Sequence, residues 1–361
     1  MKKIIIAVLV CIVTSCTFSA CVNANLASEI KEINEPSYLL PEAGDAIERE
    51  SEDVHIIVND AEAALNAGLE DLTSFKYICD VEYGMYPQTK ADKKAVREMS
   101  RNTDATGYYY STYDGEHYAK VSSAVVYGNK YEFMDENVIN ENETYYFKVE
   151  PIKWRMIGRV DLTAGNIEVY LLSDLILDSM EFCESYAIDD ADGEWYNTET
   201  GTYANNWAYS KVRKWLNEDF YKAAFTAEEK ERLISRNTSD ICEEYNPDDA
   251  TENVFTLTYA QAVMLGDSKA QVSDYARTRN TFISIYPEFY GNGRWWLCTP
   301  GNKSYRVAYA ADYNMVSSIG ADVVSGSGES VGLECMGVRP AICVTLTKEL
   351  LEQIIVVEEE D

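Results

Sequence analysis

The chain has 361 residues, with 61 aspartates and glutamates against 31 lysines and arginines and only two histidines. The formal net charge of −30 repels phosphate backbones, which argues against nucleic-acid binding through a basic face. His55 and His117 lie far apart in the sequence, so there is little basis for a histidine triad or a multi-histidine zinc site. With 46% hydrophobic and 12% aromatic residues, the chain is expected to fold around a real core.

Residues 1–24 have the pattern of a bacterial signal peptide. Two lysines precede an unbroken apolar run over residues 4–13, which is too short to span a bilayer but fits a signal-peptide core. Three processing sites remain possible: a lipobox that ends at Cys16, a second lipobox that ends at Cys21, and ordinary signal-peptidase cleavage after Ala24. The lipobox is the more specific pattern. We therefore expect lipid attachment at one of the two cysteines, and a protein held on the extracellular face of the cell membrane or, with ordinary cleavage, secreted.

Residues 25–76 are acidic and are predicted to form a spacer that contains one short helix over residues 60–72. Between residues 108 and 172, short runs of strand-forming residues are separated by Gly, Asn and Asp, which is typical of antiparallel strands.

A helical block comes next. N-caps are predicted at Ser210, Thr226 and Thr258, and Thr226 is followed three residues later by a glutamate, as in a capping box. The first of these helices is predicted over residues 211–218 and should bury Trp215.

Strands and Gly-rich turns return over residues 295–346, and residues 347–361 form an acidic C-terminal tail. The order of strands, helices and strands predicts an α+β fold with a twisted antiparallel sheet, flanking helices and long loops. Residues 77–346 are predicted to form a single globular domain.

Two candidate sites stand out. Trp295 and Trp296 are adjacent on a predicted strand, so one ring could fill the core while the other lines a surface groove and stacks on a sugar; the alternative is that both are core residues. Asp190 and Asp192 match the third and fifth positions of a calcium loop, but Ile188 occupies the first position and cannot ligate. A solvated acidic loop is therefore the favoured reading, and no metal or other cofactor is expected.

Other chemistry is poorly represented. The sequence lacks the H-E-x-x-H and phosphate-cradling G-x-x-x-x-G-K-[ST] motifs. Arg339 lies in an otherwise apolar strand, where its guanidinium is expected to satisfy buried carbonyls or a carboxylate. Six cysteines follow the leader without C-x-x-C spacing, which leaves disulfides or buried thiols open: Cys79, Cys183, Cys242, Cys298, Cys335 and Cys343.

Several short motifs occur together in a fixed order. They are Tyr83–Thr89 (YGMYPQT), Tyr146–Arg155 (YFKVEPIKWR), Val212–Asn217 (VRKWLN), Phe220–Phe225 (FYKAAF), Trp295–Gly301 (WWLCTPG) and Gly337–Ala341 (GVRPA). The set resembles the bacterial domain-of-unknown-function family 6273 over residues 77–346. In that family the tryptophan motif usually has Arg where this chain has Cys298.

The resemblance implies no catalytic residue. By analogy it implies a C-type-lectin-like or formylglycine-generating-enzyme-like fold, although the copper-binding cysteine pair of the latter enzymes is not recognisable. We expect an exported, lipid-anchored binding or display module without catalytic activity, whose ligand is a surface glycan or a protein. The alternatives are a carboxylate-based hydrolase of cell-wall or other glycans, and a purely structural surface domain.

Overall fold

A computed structural model describes residues 55–58, 79–124, 131–161, 166–189, 191–237, 251–265, 269–317 and 320–347. All of them belong to one compact unit. The leader over residues 1–24, with Cys16 and Cys21, lies outside the described residues, as do the predicted helix over 60–72 and the tail beyond residue 347.

The described strands are, in chain order, β1 (His55–Val58), β2 (Cys79–Lys90), β3 (Tyr109–Tyr110), β4 (His117–Ser122), β5 (Thr144–Asp161), β6 (Asn166–Ser173), β7 (Asp178–Ser179), β8 (Tyr186–Ile188), β9 (Trp195–Asn197), β10 (Arg236–Asn237), β11 (Thr251–Glu252), β12 (Val254–Phe255), β13 (Trp295–Pro300), β14 (Arg306–Ser317), β15 (Gly320–Ser330), β16 (Gly337–Val338) and β17 (Ala341–Thr347). The described α-helices are α1 (Lys93–Arg97), α2 (Lys211–Trp215), α3 (Tyr221–Ala224), α4 (Ala227–Arg232), α5 (Tyr259–Leu265) and α6 (Asp274–Thr278).

These elements build two main sheets. The first has eight strands. Six of them follow the order β1-β2-β5-β6-β17-β12, while β4 pairs with the N-terminal part of β5 and β3 pairs with β4. Its pairings are antiparallel. The second sheet has the order β15-β14-β13-β16-β7, in which β13 and β16 run parallel and the other neighbours run antiparallel. The fold is therefore α+β with mostly antiparallel sheets and few helices, as the sequence predicts.

The helical block begins where the sequence predicts. The Ser210 hydroxyl accepts a hydrogen bond from the Arg213 amide at 3.0 Å, and Thr226 with Glu229 forms the reciprocal capping box. Thr258 and Gln261 make the same exchange ahead of α5. The three predicted N-caps are confirmed.

Helix α2 differs from its prediction in how it continues. It leads through a π-helical turn over Leu216–Phe220 into α3, so the helical segment extends to Ala224 instead of ending near residue 218. Leu216 and Phe220 are fully buried, whereas Trp215 is half-buried and packs against Phe220 with ring centroids 5.3 Å apart. The wider turn brings both buried side chains onto the first sheet.

Two polar side chains of α2 and its π turn fix this block to β11 and β12. The Asn217 amide donates to the Val254 carbonyl at 2.8 Å, and its oxygen accepts from the Asn253 amide at 2.8 Å. Arg213 binds the fully buried carboxylate of Glu252 at 2.8 Å, and the Trp207 indole donates to the same carboxylate. A buried carboxylate is stable only with such partners, so these contacts dictate where the helices sit.

The Tyr83–Thr89 motif has a structural role in β2. The Trp154 indole donates to the Tyr83 carbonyl at 2.7 Å, and the Gly84 amide donates to Glu229 at 3.2 Å. Gly84 has φ +70°, and a Cβ there would lie 2.7 Å from the Phe225 ring. Glycine is thus required for β2 to approach the end of α3.

No helix within the described ranges has the length and apolar character needed to cross a bilayer.

The packing of the helical block yields a stability prediction. Phe220→Ala should lower the free energy of unfolding by about 3–5 kcal/mol, because the ring is fully buried against Tyr86, Trp215 and Phe225. Chemical denaturation followed by far-UV circular dichroism measures this. Met264→Ala, at an 80% exposed position on α5, should change the stability by less than about 0.5 kcal/mol. A Phe220→Ala cost as small as that of the control would contradict the packing.

Candidate functional site

Trp295 and Trp296, predicted to offer a sugar-stacking ring, are both fully buried. The Trp296 indole donates to the Met180 carbonyl at 2.9 Å and its ring meets Phe182 at 5.7 Å. Strand β13 lies between β14 and β16 with both faces covered, so neither tryptophan is available to a surface ligand. The core alternative is the one that this burial supports.

Arg339 behaves as the sequence predicts. Its guanidinium is buried, donates to the Ser173 carbonyl at 2.7 Å and lies 5.3 Å from the Trp295 ring centre. The structure differs from the prediction in one respect: Arg339 lies in the two-residue link between β16 and β17 and not within a strand. Its hydrogen bond ties this link to the end of β6 and serves the structure of the sheet.

The calcium-loop candidate is an acidic turn. Asp192 is exposed, and its carboxylate accepts from the Glu194 amide at 2.8 Å, while Asp190 lies outside the described residues. No group of three or more His, Cys, Asp or Glu side chains among the described residues is arranged to hold a metal ion.

The cysteines whose side chains the structure describes are thiols: Cys183, Cys298, Cys335 and Cys343. Burial raises the pKa of Cys183 to about 11, which keeps it protonated and unreactive at neutral pH. All four are therefore free thiols, of which Cys183, Cys298 and Cys343 are buried and Cys335 is partly exposed, whereas Cys242 lies outside the described residues.

Residues Gly328–Gly332 spell the G-x-S-x-G pattern of serine hydrolases, a match that sequence reasoning missed. That chemistry needs the serine on a sharp turn between a strand and a helix. Ser330 instead ends β15 and pairs with Arg306 in an antiparallel hairpin. His117, a possible base, is bound to Asp104 at 2.8 Å on the first sheet. The serine thus lacks the context of a nucleophile.

A cleft of about 260 Å³ opens between α5 and the first sheet. Its lining is mainly apolar and consists of Ile157, Gly158, Tyr170, Leu257, Gln261, Met264 and Leu265. It contains no carboxylate and so does not supply a hydrolase site.

A group of partly exposed aromatic and aliphatic side chains lies on the surface around the β8–β9 hairpin. We call it the hairpin cluster and define it as Tyr186, Ile188, Trp195 and Tyr305 on one face of the hairpin, with Tyr196 and Tyr203 on the opposite face. Tyr186 stacks on Trp195 with ring centroids 4.4 Å apart and an interplanar angle of 17°, and Tyr305 follows at 5.1 Å from Trp195. Tyr196 and Tyr203 lie 5.2 Å apart. Substantial area remains open to solvent, with Tyr186, Tyr203 and Ile188 exposed by 36, 45 and 50%.

Backbone hydrogen bonds and a glycine in the turn fix the shape of the hairpin. The Asp189 amide donates to the Glu194 carbonyl and the Gly193 amide donates back to the Asp189 carbonyl, both at 2.8 Å. Gly193 has φ +73°, which glycine adopts readily. The Trp195 amide donates to the Ser304 hydroxyl at 2.7 Å, so the loop before β14 fixes the hairpin against the body of the protein.

Charged side chains of both signs border the hairpin cluster, and the Arg306 guanidinium lies 5.7 Å from the centre of the Tyr305 ring. Lys211 bridges Glu181 and Glu184, with 3.3 Å to the Glu184 carboxylate. Desolvation and the negative charge of Glu181 raise the pKa of Glu334. Desolvation lowers the pKa of Lys211, but the carboxylates of Glu181 and Glu184 outweigh this effect and raise it. The cluster thus combines exposed rings with a charged rim.

Sequence reasoning missed this site. It identified the loop over Asp189–Glu194 only as a calcium candidate, and it did not single out Tyr186 or Trp195. The available signal was the aromatic pair Trp195–Tyr196 directly after an acidic turn. Tyr305 and Gly332, which complete the surroundings, are more than 100 residues away in the sequence.

A second exposed apolar surface lies on the loop around Pro287–Phe289. Ile285 and Tyr286 are 65 and 50% exposed, and the Tyr286 ring meets Tyr313 at 5.3 Å. The Tyr290 hydroxyl donates to Glu132 at 3.0 Å. This loop offers a matched surface of similar chemistry for control experiments.

The position of Tyr186 can be tested. A Cβ at Gly332 would lie 2.6 Å from the Tyr186 hydroxyl and 3.0 Å from its ring. Gly332→Ala should therefore displace the tyrosine and weaken its stack on Trp195, and near-UV circular dichroism should lose intensity. The thermal midpoint should change little, because the displaced group is the far end of a side chain. A spectrum identical to that of the wild type would contradict the stacked arrangement.

Residues 167–346 match the family described as Domain of unknown function (DUF6273). No curated protein and no solved structure matches the chain. The matched segment contains the hairpin cluster and the helical block, but the Tyr83–Thr89 and Tyr146–Arg155 motifs lie before it, in strands that pair with its first sheet.

The match begins within β6, whose partner β5 lies outside it, so the first sheet is built jointly by the matched segment and the residues that precede it. The resemblance noted from the motifs is confirmed for this segment: residues 167–346 belong to the DUF6273 family of domains of unknown function.

Proposed function

We propose that the protein is an exported, lipid-anchored cell-surface module that binds a glycan or a protein through the hairpin cluster and catalyses no reaction. The observation that carries the proposal is the exposure of Tyr186 and Ile188 beside a fixed aromatic stack. The export signal and the lipid anchor at Cys16 or Cys21 are inferred from the leader sequence alone.

Exposed tyrosine and tryptophan side chains are common energetic anchors of binding surfaces, because they offer a large contact area at a low cost in conformational entropy. In the hairpin cluster the rings are supported by one another and by the hydrogen bond from the Trp195 amide to Ser304. A preorganised surface loses little freedom when a ligand docks.

We further propose that the two antiparallel sheets and long loops form a C-type-lectin-like arrangement, in which irregular loops present the ligand site. The mostly antiparallel pairing and the position of the hairpin between β7 and the helical block support this. The likeness is an analogy of architecture and transfers no ligand.

A carboxylate-based glycan hydrolase is the second candidate. One observation favours it: the pKa of Glu334 is raised beside Glu181, whose charge is balanced by Lys211. Unequal carboxylates next to exposed rings are an arrangement that glycosidases use for acid and base roles.

Binding should depend on the hairpin cluster. The exported protein is incubated with arrays of bacterial surface polysaccharides and with host-protein extracts, and the captured ligand is then titrated. Tyr186→Ser combined with Ile188→Ser, which changes two exposed side chains on one face of the hairpin, should lower the affinity by about tenfold or more, as expected for two surface anchors. Tyr286→Ser, at a similarly exposed position on the other loop, is the control and should bind like the wild type. An equal loss in both variants, or no ligand at all, would contradict the proposal.

The same incubations separate binding from hydrolysis. A binding module leaves the polysaccharide chain length unchanged, as measured by newly formed reducing ends. Release of reducing ends that disappears in Glu334→Gln would establish the hydrolase instead.

The anchor has its own test. Radiolabelled palmitate should enter the full-length protein in a bacterial host and should be lost when Cys16 and Cys21 are both replaced by serine. Single substitutions then identify the acylated cysteine. An unlabelled wild-type protein that is found in the medium would show that the anchor is wrong and that the chain is secreted.

A further inference from the structure

Every second residue of the β8 segment forms backbone hydrogen bonds with β9. The Asp189 amide donates to the Glu194 carbonyl at 2.8 Å, and the Ser185 carbonyl accepts from the Thr198 amide at 3.0 Å. Hydrogen-bonded and non-hydrogen-bonded pairs alternate along an antiparallel ladder. Ala187, midway between Ser185 and Asp189, is therefore the residue within β8 whose amide and carbonyl face β9.

The amides and carbonyls of Tyr186 and Ile188 consequently point away from β9, toward the open edge of the hairpin. On β9 the corresponding outward groups are bonded, as shown by the Ala204 amide, which donates to the Trp195 carbonyl at 2.9 Å. On β8 no residue in the described part of the chain bonds to the outward groups, and all three residues of the strand are exposed. The hairpin thus presents an open strand edge to solvent.

Strand β3 shows how a similar edge is closed elsewhere in the fold. Tyr110 of β3 is 38% exposed, close to the 36% of Tyr186, and its backbone also points away from the partner strand. However, the Tyr110 amide donates to the Ser100 hydroxyl at 3.0 Å, and its carbonyl accepts from the Ser100 amide at 2.8 Å. The loop before β3 therefore satisfies that edge, whereas the edge of β8 stays open.

The side chains beside the open edge favour an added strand. Tyr186 and Ile188 are two residues apart on β8 and share one face of the hairpin with Trp195, which stacks on Tyr186 at 4.4 Å. Aromatic and β-branched side chains are the ones that stabilise cross-strand pairs. Because the exposed carboxylates of Glu184 and Asp189 flank β8, the edge suits a short segment better than a long strand.

The spacing of the outward groups matches a polypeptide. Residues that are two apart on a strand repeat their donor and acceptor groups about every 7 Å, which is the repeat of any other extended chain. A sugar chain has no such alternation of amide donors and carbonyl acceptors. The backbone of β8 therefore distinguishes between the two ligand classes that the proposed function leaves open.

We infer, on the basis of the proposed function, that the ligand of the hairpin cluster is an extended segment of a protein that pairs with β8 as an additional strand. Its backbone binds the outward amides and carbonyls of Tyr186 and Ile188. Every second side chain of the segment packs on the same two residues, so we expect β-branched or aromatic residues at alternate positions.

The test needs a peptide that binds at the cluster. Short random peptides displayed on phage are selected on the full exported protein and counter-selected on the Tyr186→Ser, Ile188→Ser double variant, so that peptides bound elsewhere are removed. An enriched peptide is then labelled with fluorescein and titrated by fluorescence anisotropy. Its sequence should show β-branched or aromatic residues at alternate positions.

Ile188→Pro tests the backbone of β8 directly. Proline removes the outward amide of residue 188 and leaves the hydrogen bonds of Ala187 to β9 in place, so the hairpin should keep its near-UV circular dichroism. The affinity for the peptide should fall by about tenfold or more. Ile188→Thr keeps the amide and the β-branched shape and should lower the affinity by less than about threefold. Tyr110→Ser, at the closed edge of β3, is the matched control and should bind like the wild type.

The backbone of the peptide supplies a second measurement, which does not depend on the folding of any variant. Methylating one peptide amide at a time removes a donor and blocks close approach. In a paired strand the loss alternates: we expect about tenfold or more at every second residue and less than about threefold at the residues between them.

A peptide bound at the cluster that is insensitive to Ile188→Pro and shows no alternation would overturn the inference, and the proposed binding function would stand. The same conclusion follows if a glycan binds at the cluster and no peptide does. A wild-type dimer in light scattering that Ile188→Pro converts to monomers would show that β8 pairs with a second copy of the chain, which also overturns the inference. If no peptide, glycan or extracted protein binds at the cluster, the proposed function fails together with the inference.

Discussion

The buried carboxylate of Asp178 is the interaction on which the arrangement of the two sheets depends. Asp178 belongs to β7 at the edge of the second sheet, and it accepts hydrogen bonds from Tyr86 of β2 and from Arg279, each at 2.9 Å. All three groups are buried or nearly so. Removing Arg279 would leave the Asp178 carboxylate without a counter-charge in the core, which is strongly destabilising, and removing Tyr86 would take away one of its hydrogen-bond donors. Asp178 raises the pKa of Arg279, and burial together with Asp178 raises the pKa of Tyr86.

Tyr86 also connects this junction to the helices. Its ring meets Phe220 at 5.1 Å and Tyr275 at 5.5 Å. The hairpin cluster is positioned further along the chain from Asp178: Phe182 packs on Trp296, and the amides of Phe182 and Cys183 donate to the Val331 carbonyl. That pairing brings Tyr186 next to Gly332. The exposed surface is therefore held by the same buried network that joins the sheets.

Local features of the sequence predicted the structure well, and features that depend on distant partners did not. The caps at Ser210, Thr226 and Thr258 need only neighbouring residues, and the role of Arg339 was identifiable because a charge within an apolar segment must find buried partners. Alternation along a strand placed Trp295 and Trp296 on opposite faces, but it cannot show whether the second face is covered, and in β13 it is. The hairpin cluster was missed because Tyr305 approaches Trp195 only through tertiary folding.

The placement of the last strands determines when the core can form. Strand β16 separates β13 from β7, and β17 lies between β6 and β12, so neither sheet is complete without residues 337–347. A chain that is synthesised from its N-terminus cannot complete either sheet until nearly its whole length is available. Pairing between such distant segments also forms late, so folding is slow. This topology therefore acts as a built-in delay. A nascent or truncated chain that ends before β16 leaves both sheets open, and resistance to unfolding appears only once the C-terminal strands are present.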